Sequence, residues 1–228
     1  IWNPVTGNVV PIATSSAVNG RTSLPVTLPP NGAYFVVFGK ETGNVSTAVG
    51  SDGLASSEQS KTVQTLTGSW ELRFPKGWGA PESATFPKLM SWTQSEQAGI
   101  KYFSGIATYQ KMFDYKPTAA KSGRLYLDLG RVSKVGEVWL NGKSLGVVWT
   151  PPYRVDITDV VKSGSNVVKV EVANTWSNRL TGDAITGEKF TKTNITKANK
   201  NLVPWGQLPL IESGLLGPVT IQTVKIEP

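Results

Sequence analysis

The sequence of 228 residues contains no histidine and no cysteine. Without histidine there is no His-activated serine triad, no imidazole general base and no His metal ligand. Without cysteine there is no thiol nucleophile, no zinc–thiolate site and no disulfide. Zero cysteine leaves the compartment open, because it only fails to show a disulfide scaffold. Charged residues are scarce at 17%, against about 25% in an average globular chain. No apolar run reaches the roughly 18 residues of a membrane-spanning helix. The chain opens Ile1-Trp2-Asn3-Pro4, with neither Met nor a charged-then-apolar signal segment, and reads as a piece cut from a longer protein.

What is present suits an all-β protein. Apolar residues make up 39% of the chain, enough for a sizeable core, and 23 Gly and 15 Pro supply turns. The net charge is 23 − 16 = +7. The basic residues are scattered singly, and the densest stretch spaces Lys189, Lys192, Lys197 and Lys200 with Thr, Asn and Ala. Nucleic acid is therefore not the expected partner.

Three segments follow from composition. Residues 1–40 read as the end of an upstream β domain, with Ala33 to Phe38 as a continuous apolar strand suited to burial on both faces. Residues 41–60 are half Gly, Ser and Thr, with no aromatic, Pro or basic residue, and read as a flexible linker. Residues 61–228 read as one β domain. Trp70, Leu72 and Phe74 share one strand face; Leu125, Leu127 and Leu129 share another; Val168, Val170 and Val172 a third. Asn141-Gly142 between two apolar stretches is a strong hairpin signal. Trp70 and Trp139 read as core. Helix signals are few, and Leu180 to Leu202 reads as a long polar loop.

The segments Ile106-Ala107-Thr108-Tyr109, Leu125-Tyr126-Leu127-Asp128-Leu129-Gly130, Glu137-Val138-Trp139-Leu140-Asn141-Gly142 and Tyr153-Arg154-Val155-Asp156-Ile157 carry a resemblance. Together they resemble the sugar-binding-type jelly-roll domain of family 2 glycoside hydrolases. The implied fold is a galactose-binding-like jelly-roll β-sandwich preceded by a small β fragment. Asn174-Thr175-Trp176-Ser177-Asn178-Arg179 and Ser213-Gly214-Leu215-Leu216-Gly217-Pro218 further resemble the C-terminal part of family 106, the α-L-rhamnosidase-like enzymes. The resemblance implies an ancillary, non-catalytic module in polysaccharide degradation. Its partners would be a catalytic barrel of the same polypeptide and carbohydrate. It also implies a bacterial periplasmic or extracellular location. A free-standing carbohydrate-binding module and a structural or adhesion sandwich without ligand are the alternatives. No catalytic residue of the family has a counterpart here.

Candidate binding residues are those whose chemistry suits sugars or a docking surface. Trp149, Tyr153, Trp176 and Trp205 offer flat aromatic faces at strand ends or in loops. Asn178, Arg179 and Asp183 follow a regular strand directly and offer planar polar groups, with Arg179 and Asp183 able to pair. They equally suit a network that braces a loop. Glu71, Glu137 and Glu171 read as members of solvated sheet faces. Asp156, Asp159 and Asp183 lie in loops and are the candidates for a structural Ca²⁺, although no dense acidic loop is present; no other cofactor or metal is implied.

Overall fold

A computed structural model describes residues 1–5, 7, 9, 16–24, 26, 28, 32–38, 58–117, 123–195, 197–198 and 203–226. The strands are β1 (Ser16–Val18), β2 (Arg21–Ser23), β3 (Glu58–Thr65), β4 (Trp70–Arg73), β5 (Ser83–Phe86), β6 (Ile106–Tyr115), β7 (Arg124–Asp128), β8 (Arg131–Ser133) and β9 (Val135–Leu140). They continue with β10 (Lys143–Val148), β11 (Arg154–Asp156), β12 (Gly164–Ala173), β13 (Lys197–Ala198), β14 (Val203–Pro204), β15 (Gly214–Gly217) and β16 (Thr220–Ile226). Among the described residues two α-helices interrupt them, α1 (Ala98–Lys101) and α2 (Ser177–Thr186).

The chain divides into two compact units, residues 1–60 with 224–228, and residues 61–223. Most of the expected linker lies outside the described residues, which resume at Glu58. In the first unit β1 and β2 form a hairpin, and Trp2 bridges Val9 and Phe35. The expected doubly buried strand at 33–38 does not form. Among the described residues Phe35 makes a single bridge, to Trp2, and Phe38 is 74% exposed. Burial on both faces needs covering layers on both sides, and the described residues of this unit do not supply them.

The larger unit is an all-β sandwich. One sheet has the order β10-β9-β12-β6-β4-β5 and the other β11-β7-β16-β3. Alternation builds the core between them. Trp70, Leu72, Tyr109, Val138 and Val170 from the first sheet and Leu127 and Ile221 from the second belong to one buried cluster. Trp92 and Phe103, from the segments joining strands, meet edge-to-face with centroids 5.3 Å apart and close one end of that core.

The hairpin at Asn141-Gly142 forms as the sequence indicates. Both residues have positive φ, 53° and 83°, as a two-residue turn matched to strand twist requires. Two expectations are corrected. Trp139 is half-buried, not core, because Val138 and Leu140 take the inward parity on β9 and leave Trp139 on the outer face. The stretch read as a loop from Leu180 begins with helix α2.

Candidate functional site

Helix α2 follows β12 within a few residues and ends on Gly187, whose φ of 77° is left-handed and whose N–H donates to the Asp183 carbonyl at 3.1 Å. Its buried residues are Asn178, Arg179, Thr181 and Gly182. The helix thus buries a polar stripe, and each polar group needs a partner.

Asn178 finds its partners on the strand-end segment before β15. Its Nδ2 donates to the Ile211 carbonyl at 2.7 Å and to Ser213 Oγ at 3.0 Å, and its Oδ1 accepts from the Ile211 N–H at 2.8 Å. Ser213 Oγ also accepts from Asn174 Nδ2 at 3.0 Å, and the Ser213 N–H donates to Ser91 Oγ at 3.1 Å. The Arg179 N–H donates to Ser104 Oγ at 3.0 Å. Ser91 and Ser104 carry no pattern in the sequence. The network joins segments up to 122 residues apart, and only burial marks these two serines.

Arg179 and Asp183 pair on successive turns of α2, Nε to Oδ1 at 2.8 Å. The guanidinium lies 4.5 Å from the Phe190 ring centroid, a cation–π arrangement. Asp183 Oδ2 accepts from the Thr191 N–H at 2.8 Å and from Thr191 Oγ1 at 2.7 Å. Burial pushes the Asp183 carboxyl up, but the Thr191 hydrogen bonds and the Arg179 charge outweigh it and hold the group below its ordinary value. Arg179 is 1% exposed. With both oxygens of Asp183 taken, this cluster fastens the segment after α2 to the helix, while Asn178 and the Arg179 N–H tie the helix to the strand-end segments.

The aromatic candidates are more accessible. Trp176 is 56% exposed and meets Trp78 edge-on, centroids 5.2 Å apart. Trp205 sits in a single 3-10 turn, Trp205–Gln207, that packs on α2. Its Nε1 is buried without a hydrogen-bond partner among the described residues. Trp149 is exposed and follows β10, whereas Tyr153 is half-buried against the core and its carbonyl accepts from the Leu129 N–H at 2.8 Å. No hydrogen bond, ion pair or ring contact among the described residues joins Trp149 or Tyr153 to the α2 group. The seven candidates therefore fall into two places, α2 with its packing partners and the corner after β10.

The carboxylates considered for Ca²⁺ are largely committed to protein donors. Asp156 pairs with Arg124 Nε and accepts from the Thr158 N–H at 2.9 Å. Burial pushes the Asp156 carboxyl up, but the Thr158 hydrogen bonds and the Arg124 guanidinium outweigh it and hold the group below its ordinary value. Among the described residues no group of three or more His, Cys, Asp or Glu side chains is arranged to hold a metal ion. Glu71 accepts from Thr85 Oγ1 at 3.0 Å on the open sheet face.

Comparison with known proteins places this sandwich. It is similar to a rhamnosidase from Novosphingobium sp. PP1Y, with a TM-score of 0.76 and 36% identity over 97% of this chain and 20% of that one. A protein of Formosa agariphila, provisionally named a β-glucuronidase, is 38% identical over 179 residues, which are 70% of this chain and 15% of the relative. A second protein of that organism, with the same provisional name, is 31% identical over 112 residues, 46% of this chain and 10% of the relative. The chain thus spans a fifth or less of each of these proteins. Residues 94–207, from the 3-10 turn at Trp92 to the one at Trp205, match the model of one family. The chain belongs to that family, the glycosyl hydrolase 2 galactose-binding domain-like family.

Proposed function

We propose that this chain is an ancillary, non-catalytic β-sandwich module of a larger glycoside hydrolase that degrades polysaccharide. The observation that carries the reading is the likeness to the rhamnosidase over 97% of the chain at 36% identity. The residues support it. The buried Arg179–Asp183 pair is closed by Thr191, and Glu171 pairs with Lys169 Nζ at 2.9 Å. Neither carboxylate is placed as a free member of the flanking pair that glycoside hydrolysis uses.

The sugar we propose for the parent enzyme is α-L-rhamnose, as in family 106. The rhamnosidase is matched along nearly the whole chain, whereas the relatives named for glucuronide cleavage are matched along 70% and 46% of it. In this reading Trp149 and Trp176, the exposed tryptophans of the candidate set, face the rest of the polypeptide. The location we assign is the periplasm or the exterior of a bacterial cell.

The test compares this chain with the complete polypeptide encoded by its gene. The complete protein is expected to hydrolyse an aryl α-L-rhamnoside, and the chain alone neither that nor an aryl β-glucuronide. Turnover by the chain alone, abolished by changing one Glu within it, overturns the ancillary role. A complete protein that cleaves only the glucuronide overturns the rhamnose assignment.

A further inference from the structure

The outer face of the six-stranded sheet holds a shallow groove of about 320 Å³, lined by Gln110, Trp139, Gly142, Val167 and Lys169. Strand register explains its composition. Lys169 on β12 stands opposite Trp139 on β9 and, on its other side, opposite Gln110 on β6. The three side chains form one row on one face, at the strand spacing of about 4.8 Å.

Each member of the row is prepared for a polar ligand. Lys169 Nζ lies 3.5 Å from the Trp139 ring centroid and donates to Glu171 at 2.9 Å. An ammonium has three N–H donors, so the ring and the carboxylate fix its position and leave donor capacity for a ligand. The Gln110 amide is exposed and has no hydrogen-bond partner among the described residues. One step along the strands, Glu137 stands directly opposite Glu171. It is half-buried and has no ion pair or hydrogen bond from its side chain among the described residues. Like charges facing each other across an antiparallel pair are destabilising. A ligand that donates hydrogen bonds to this pair relieves that cost.

We propose that this groove is a saccharide subsite that takes a neutral sugar unit. Trp139, with Lys169 Nζ 3.5 Å from its ring centroid, lines the groove as the apolar wall against which the C–H face of the sugar packs. Lys169 and Gln110 donate to its hydroxyls, and Glu137 accepts from them. Charge decides against an anionic sugar, because Glu171 already offsets Lys169 and Glu137 adds a negative charge beside them. Chemistry decides against an apolar peptide, which would leave Gln110 and Glu137 unpaired on binding. The inference rests on the reading of the chain as part of a polysaccharide-degrading protein.

The test titrates neutral tetrasaccharides of rhamnose, galactose or glucose into this chain, with glucuronate-containing tetrasaccharides as the anionic comparison. Tryptophan fluorescence and amide chemical shifts are the readouts. At least one neutral tetrasaccharide is expected to bind with a Kd of about 1 mM. Trp139→Ala and Gln110→Ala are each expected to weaken it about tenfold, equivalent to about 1.4 kcal/mol, while Ile185→Ala, at an exposed position of α2 outside the groove, leaves it unchanged. Gln110 is exposed and unbonded, so its variant tests the subsite even if Trp139→Ala fails to fold. No response to any neutral tetrasaccharide overturns the proposal, as does binding that survives Gln110→Ala or is confined to the glucuronate compounds. Such a failure leaves the module reading standing, since that depends on hydrolysis by the complete polypeptide.

Discussion

Arg179 and Asp183 stand one helical turn apart in α2 and bond at 2.8 Å with side chains only 2% and 9% exposed. Both residues, the Thr191 that closes the second carboxylate oxygen and the Phe190 ring that covers the guanidinium belong to one unit of this chain. The brace is therefore internal, and its removal is felt by the chain on its own.

Removing one partner of a buried pair strands the other charge, at about 3–5 kcal/mol. Arg179→Ala is expected to destabilise this chain by that amount, since it also loses the contact with Phe190. Urea denaturation of wild type and variant is the measurement. A loss below about 1 kcal/mol, the range of an exposed pair, would show that the guanidinium is solvated in the folded state.

The depressed carboxyl of Asp183 sets the sign of an acid response. The folded group binds its proton at lower pH than an unfolded Asp, whose pKa is about 3.9. Well above that value neither state holds the proton, and the stabilisation is complete. As pH falls through it, the unfolded state takes up the proton first, so stability declines until the folded carboxyl is also protonated. Asp156 is depressed as well and adds in the same direction. Urea midpoints measured from about pH 6 down to about pH 3 should fall. The fall should be shallower in Asp183→Asn, whose stability at neutral pH is already lower. An Asp183→Asn profile parallel to wild type would assign the acid response to other carboxyls.

Much of the sandwich is legible in the sequence, because its strands alternate. Val168, Val170 and Val172 point inward as their spacing requires. The α2 helix is not legible. A surface helix is recognised by an apolar stripe, and this one buries Asn178, Arg179, Thr181 and Gly182 instead. Trp139 misleads in the opposite way. Its residue type suggests core, while its parity between Val138 and Leu140 puts it outside. The groove beside it is invisible before the fold, because Gln110, Trp139 and Lys169 come from three strands that only the sheet order brings into register.

The hairpin offers a separable test of turn and anchor. Asn141 adopts the left-handed region, and its side chain donates to the Val160 carbonyl at 3.0 Å and to Asn166 Oδ1 at 2.8 Å, while accepting from the Val167 N–H at 3.0 Å. Asn141→Gly keeps the backbone freedom and loses only the anchor, so it should cost about 1–3 kcal/mol. Asn141→Ala should cost about 1 kcal/mol more, because Ala resists positive φ. Equal losses from thermal denaturation of the two variants would assign the whole effect to the side-chain bonds.

Gly214 sits where the core leaves no room for a side chain. Its φ is 103°, and a Cβ there would lie 2.5 Å from the Tyr109 hydroxyl and 2.6 Å from Trp92 Nε1. Those two atoms are hydrogen-bonded to each other, and the Tyr109 hydroxyl also accepts from the Leu215 N–H at 3.1 Å. Both rings are fully buried, so neither can swing out to make room. Burial already pushes the Tyr109 hydroxyl far above its ordinary value, which keeps it neutral and in place as an acceptor. Gly214→Ala adds backbone strain of about 1–2 kcal/mol to overpacking of about 1–3 kcal/mol. It also breaks a buried hydrogen bond if the rings separate. The expected loss is about 3 kcal/mol or more. Gly142→Ala is the control: its φ of 83° is also left-handed, but a Cβ there meets nothing within 4 Å, so only the strain remains. Urea denaturation of both variants separates the terms. A Gly214→Ala variant no less stable than Gly142→Ala would mean that the Trp92–Tyr109 pair relaxes freely, and the rigid ring packing inferred at this end of the core would have to be abandoned.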